Sequence, residues 1–235
     1  MQKSLLSFLL LVLFLSTLVS CSSSNNEKGL IPTIYYKPTV HADKTKCASS
    51  DLKDLLSTSG KTLTTLCQQD YWHCLMQGSC FVYEQDKLNS YNYHSTKNGV
   101  PLFVEVDLNK CPYGYGAKGY CLDPFFSIAA DLSIHKMGDV FFVPRLEGAA
   151  LPNGEIHDGY VIVRDSGGKI LGASRFDFFT GFLNHLNSKN TLAKLGFGDP
   201  KNRFEYYKLS EEEAQKVRTK RGYPGLKESV HQAGL

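Results

Sequence analysis

The chain has 235 residues, with 26 Lys and Arg against 23 Asp and Glu and a net charge of +3. The basic residues are spread along the chain rather than massed on one segment, so nucleic acid is excluded as the expected partner. Beyond the first residues no apolar stretch reaches the roughly 18 needed for a membrane span, and the chain after residue 46 is long enough for one good core.

The N-terminus reads as an export signal over 1–21. One positive charge, Lys3, precedes an apolar run from Leu5 to Leu15, and the segment closes on Leu18-Val19-Ser20-Cys21. An apolar core this short, ending in small residues, is a secretory signal and not a spanning helix. Leu-Val-Ser-Cys resembles the bacterial lipobox, which implies a lipidated Cys21. Ser22 after it implies an outer-membrane lipoprotein facing the periplasm. Multiple acyl chains on one cysteine hold firmly, at about 0.8 kcal/mol per buried methylene. Ser22 to Glu27 is polar with nothing to bury, and 22–46 is expected to be a flexible tether in which Ile34-Tyr35-Tyr36 is the one strand-like piece.

Six cysteines lie beyond Cys21: Cys47, Cys67, Cys74, Cys80, Cys111 and Cys121. None forms a C-x-x-C pair, so a zinc site fits poorly, and no metal or other cofactor is expected. An even count in an exported chain favours disulfides, although sequence leaves the pairing open. Cys111 and Cys121 flank the Gly/Tyr-rich Pro112–Tyr120 and are the first pair to expect. The other four are expected to staple a small helical segment over 47–76.

In chain order, Ser49-Ser50-Asp51 before Leu52, Leu55 and Leu56 predicts a capped short helix, and Thr62 to Leu75 a second. The period then changes. Residues 80–83, 102–106, 139–143, 160–163 and 176–179 read as strands, separated by turns at Leu151–Gly154, Ser166–Gly168 and Gly198–Pro200. Arg203–Tyr207 is expected to be the last strand. Ser210 with Glu213 is a capping box opening a helix to about Lys220, and Gly222–Leu235 is expected to be loose. Many short strands and few long helices suggest a mainly β chain with a small closed barrel over 77–208, then a C-terminal helix and tail over 209–235.

Three aspartates stand out. Asp131 ends Ser127-Ile128-Ala129-Ala130-Asp131, and Asp165 opens Asp165-Ser166-Gly167-Gly168 at a strand end. Asp177 interrupts the apolar run Arg175-Phe176-Asp177-Phe178-Phe179. Strand alternation places Asp177 on the face opposite Phe176 and Phe178, towards water or a lined cleft. The histidines His73, His135, His157 and His185 lack metal-ligand spacing and are read as surface or packing residues.

Ala129-Ala130-Asp131 with Met137-Gly138-Asp139-Val140-Phe141-Phe142-Val143-Pro144 after it is similar to the three-aspartate (3D) domain. So are Tyr160–Asp165 with Ser166-Gly167-Gly168 and then Arg175–Phe179, which match that domain's D-T-G-G and R-I-D-x-F pieces in order. The same core closes the membrane-bound lytic transglycosylase A family, and Met76-Gln77-Gly78-Ser79-Cys80 resembles its Q-G-S-G segment. The resemblance implies a double-psi β-barrel and cleavage of peptidoglycan glycan strands at the MurNAc-GlcNAc bond with 1,6-anhydro ring formation. It implies catalytic Asp177, Asp165 and Asp131, with Asp177 as general acid and base, and substrate contacts from Gln77, Gly78, Ser79, Gly167 and Gly168. The chain departs from the pattern at Leu171, where the family has lysine. The Asp165–Asp177 interval is also one residue longer than usual. Two alternatives stay open: a non-catalytic peptidoglycan-binding lipoprotein, and a barrel acting on other carbohydrates.

Overall fold

The computed structural model describes residues 29–227. The expected signal over 1–21, the acceptor Cys21 and the start of the tether lie outside the described residues. Among the described residues no helix is long and apolar enough to cross a membrane.

Two six-stranded sheets form the molecule. The first takes β1 (Ile31–Tyr35), β8 (Ser127–Ala129), β9 (Val140–Phe142), β10 (Tyr160–Asp165), β11 (Arg175–Phe179) and β12 (Tyr207–Lys208), in the order β1-β11-β8-β10-β9-β12. β1 runs parallel to β11, and β8 parallel to β10. The two outer edges are drawn together at Leu30 and Phe204, which exchange both backbone hydrogen bonds (2.8 and 3.2 Å). That pairing occupies groups which an open edge would leave for another chain. The second sheet takes β2 (Thr39–His41), β3 (Leu52–Ser57), β4 (Thr62–Cys67), β5 (Ser79–Glu84), β6 (Lys87–Lys97) and β7 (Val100–Glu105), in the order β2-β5-β6-β7-β3-β4. The helices are α1 (Gln68–Met76), α2 (Thr191–Lys194) and α3 (Glu211–Lys220).

Each sheet covers its own core. Phe126, Ile128, Phe141, Val161, Val163, Phe176, Phe178 and Phe197 fill the first. Val40, Leu55, Leu66, Val82 and Phe103 fill the second. Each such side chain contributes about 1.5–3 kcal/mol on leaving water, which is what folds strands too short to stand alone.

The mainly β class holds, and five predicted strands appear as β5, β7, β9, β10 and β11. The helical reading of 47–76 is corrected. Leu52, Leu55 and Leu56 lie in β3, and Thr62–Leu66 belongs to β4, with the helix starting only at Gln68. Over five or six residues the helical and strand periods cannot be told apart. Thr62, Thr64 and Thr65 are β-branched and favour a pleated surface. β3 pairs with β4 on one side and with β7 on the other, so 47–76 and 79–105 share one sheet.

The tether is also corrected from residue 29 onward: β1 is paired along its length with β11, and β2 with β5. The last strand is shorter than expected, since Phe204 makes an isolated bridge and only Tyr207–Lys208 pairs with β9. The tail is pinned through residue 225, where Arg164 donates to the Gly225 carbonyl at 2.6 Å. Residues 228–235 lie outside the described residues. The Ser210–Glu213 capping box is present. The disulfides are Cys47–Cys67, Cys74–Cys80 and Cys111–Cys121.

Candidate active site

Strand register lines up four residues across the first sheet. Thr33 on β1 is opposite Asp177 on β11, Asp177 is opposite Ala129 on β8, and Ala129 is opposite Asp165 on β10. Two strand spacings of about 4.8 Å separate the aspartate backbones, and the small Ala129 between them leaves the space above it open. Alternation sends Phe176 and Phe178 into the core and Asp177 to the other face. That face is one wall of a groove of about 1040 Å³.

Both sheets line this groove. Tyr35, Ala129, Asp165, Gly167, Gly168 and Asp177 come from the first. Gln77, Gly78, Ser79, Asn92 and Tyr93 come from the second, with Tyr115–Gly119 along one rim. The five residues expected to touch substrate, Gln77, Gly78, Ser79, Gly167 and Gly168, therefore face the same space as Asp165 and Asp177. Asp131 does not join them. One of its oxygens accepts from the Ser133 amide (2.9 Å) and hydroxyl (2.6 Å), and the other from the Gly172 amide (2.8 Å). These bonds hold its carboxyl below the usual range, the Gly172 amide contributing most. Asp131 is a brace beneath the 166–174 loop. Gly172 in that loop sits at φ +102°, and Asp177 stands opposite Ala129.

The two groove aspartates differ in their partners. Asp165 accepts three hydrogen bonds: from the Ala117 amide (2.9 Å) and Ser166 amide (2.8 Å) on Oδ1, and from the Tyr35 hydroxyl (2.9 Å) on Oδ2. Burial still pushes its pKa up to about 6, with the Asp177 charge adding to the rise. Tyr35 is held far above the ordinary phenol value by burial and by the Asp165 charge, so it stays a donor. Asp177 accepts one side-chain hydrogen bond, from Thr33 Oγ1 at 2.6 Å, and Thr33 in turn accepts from Arg175 at 2.7 Å. Burial raises the Asp177 pKa against the lowering effects of Thr33 and Arg175. Its Oδ2 has no hydrogen-bond partner among the described residues, in a residue that lines the groove.

Sequence reasoning found Asp165 and Asp177 but missed Thr33, Tyr35 and Ala117. The signal for the first two was the alternation Ile31-Pro32-Thr33-Ile34-Tyr35, partly visible as a strand-like piece.

Residues 126–189 match the family model of the 3D domain. No curated protein matches the chain. Two solved structures share the fold. E. coli MltA with bound chitohexaose is 16% identical, with a TM-score of 0.50 over 78% of this chain and 72% of that one. The membrane-bound lytic murein transglycosylase from Agrobacterium tumefaciens is 16% identical, with a TM-score of 0.50 over 81% of this chain and 76% of that one. At this identity the likeness is one of fold. Residues 126–189 are thus similar to the 3D domain, and the chain shares the fold of the MltA structures.

Proposed function

We propose that the protein is a lytic transglycosylase cutting the MurNAc-GlcNAc bond of peptidoglycan, with Asp177 as general acid and base. On this reading the first sheet is a double-psi β-barrel, and the chain is held at the outer membrane through a lipidated Cys21. The observation that carries it is the row Asp177–Ala129–Asp165 opening onto one groove, with both carboxyl pKa values raised and, among the described residues, an oxygen of Asp177 but none of Asp165 free of hydrogen bonds. The two related structures support it: one holds chitohexaose, and the other is a lytic murein transglycosylase.

The chemistry needs one proton carrier. Asp177 protonates the glycosidic oxygen as the C1–O bond breaks. Its carboxylate then takes the proton of the sugar's own C6 hydroxyl while that oxygen bonds to C1, closing the 1,6-anhydro ring and restoring the acid. The nucleophile is already part of the substrate, which for well-oriented groups is worth an effective concentration of about 10⁵ M or more. Asp165 has both oxygens held by three donors, and its carboxylate, when ionised, favours the positive charge developing at C1. Asp131 acts only through the 166–174 loop.

The test is release of soluble muropeptides from purified sacculi. Asp177→Asn is expected to lower the rate by at least about 10³-fold, within the range of lost general acid-base catalysis and transition-state stabilisation. Retained activity in that variant overturns the assignment.

A further inference from the structure

Lys118 is the one side chain with a fixed positive charge among the described residues lining the groove. It is exposed, and among the described residues it belongs to none of the ion pairs. Its backbone is left-handed, at φ 57° and ψ 20°. A residue with a side chain takes that conformation at a cost of about 1 kcal/mol or more, which the surrounding structure must offset.

The loop around it is fixed on several sides. The Cys111–Cys121 disulfide closes it, and Gly116 donates to the Tyr120 carbonyl at 2.8 Å. Gly116 also lies so close to the Arg164 carbonyl that a Cβ there has no room. Ala117, the residue before Lys118, gives its amide to Asp165. The ammonium group thus stands on a rigid support one residue from the carboxylate row, on a stem long enough to reach a sugar bound above it. Rigid presentation lowers the ordering cost of binding.

A groove floored by Asp165 and Asp177 repels anions, so a cation on its rim selects for a ligand that carries negative charge at one place. Chitin strands are neutral, whereas the muramic residue of peptidoglycan carries a lactyl group ending in a carboxylate or in a peptide stem with carboxylates of its own. Resting on the lytic transglycosylase reading, we infer that Lys118 forms a carboxylate subsite for the muramic residue seated over Asp165 and Asp177. It makes the site prefer muramic-containing strands to chitin.

The test compares dissociation constants in the Asp177→Asn background, which keeps strands whole, for three ligands: stemmed glycan strands, strands stripped of stems by an amidase, and chitohexaose. Lys118→Met is expected to weaken stemmed strands about three- to tenfold, the range of a partly exposed ion pair, with the loss shrinking at high salt. Chitohexaose should stay within about twofold, and Lys118→Arg should restore the affinity. Loss confined to stripped strands identifies the free lactyl carboxylate as the partner, loss confined to stemmed strands identifies the stem carboxylates, and equal loss on both shows that the subsite takes either. Equal weakening of chitohexaose, or no weakening of either anionic ligand, overturns the subsite. A parent protein that binds strands but releases no anhydro ends overturns the proposed function and leaves the subsite standing.

Discussion

Two carboxylates in one groove take different parts because their hydrogen-bond partners differ. Asp165 is satisfied on both oxygens, yet burial keeps its pKa at about 6, above the unfolded value near 3.8. The folded protein therefore binds the extra proton between those values. Asp165 contributes stability that is complete below pH 3.8 and lost as the pH rises through about 6. Asp165→Asn keeps the Ala117 and Ser166 contacts through its carbonyl and can donate to the Tyr35 oxygen. It should raise stability at pH 7 by about 1–3 kcal/mol and flatten that acidic slope in urea titrations. Thr33→Val removes the one side-chain donor to Asp177 and so lets its pKa rise further. The alkaline fall of activity should then move to higher pH; an unchanged profile would contradict the acid role. Asp165 and Asp177 were legible because a carboxylate inside an apolar strand or at a strand end is conspicuous. Thr33 and Tyr35 were not, since they matter only through a pairing with β11 made more than 140 residues away.

The element that matters most for the site is the disulfide-closed loop, because its Ala117 amide reaches Asp165. Gly116→Ala would drive a Cβ into the Arg164 carbonyl, so the backbone has to move. The expected cost is about 1–3 kcal/mol of stability, with loss of activity beyond what that explains. A thermal melt beside an activity assay separates the two effects. Strands rich in apolar residues, such as β10 and β11, were readable because both periodicity and composition agree. β6 was not: Asn89-Ser90-Tyr91-Asn92 is buried yet polar, and its place comes from pairing with β5 and β7. β3 and β4 were misread for the opposite reason, short leucine spacings that suit either period.

Across the whole molecule, the crossing from β1 to β2 buries Lys37 between the sheets. Its ammonium donates to Ser90 at 2.6 Å and lies 4.4 Å from the centre of the Phe81 ring. Burial lowers its pKa from 10.5 to about 7. Between those values the unfolded chain binds the proton and the folded one does not, so stability rises with pH from about 7 to 10.5. Lys37→Met should remove that rise and stabilise the protein at pH 6 by about 1–3 kcal/mol. The C-terminal segment is the other long-range tie. Arg221 pairs with buried Asp123 at 2.7 Å and with Glu155 at 2.7 Å, and its guanidinium lies 3.5 Å from the Phe126 ring centre. Arg221→Ala leaves Asp123 buried without its partner and should cost about 3–5 kcal/mol in denaturant unfolding. None of this was visible in Gly222-Tyr223-Pro224-Gly225, which reads as a turn, because the order of the segment comes from the Arg164 and Asp123 sites it covers. The groove between the sheets was equally hidden, since Ile34 and Tyr35 were read as tether and Leu75 and Met76 as a separate segment.

The central claim is that this groove cuts glycan strands without water. The most direct measurement is mass spectrometry of the products released from purified sacculi in ¹⁸O-labelled water. Cleavage by Asp177 with the C6 hydroxyl as nucleophile gives 1,6-anhydro ends, lighter than reducing ends by one water and free of label, and none with Asp177→Asn. Reducing ends carrying ¹⁸O at C1 would contradict it.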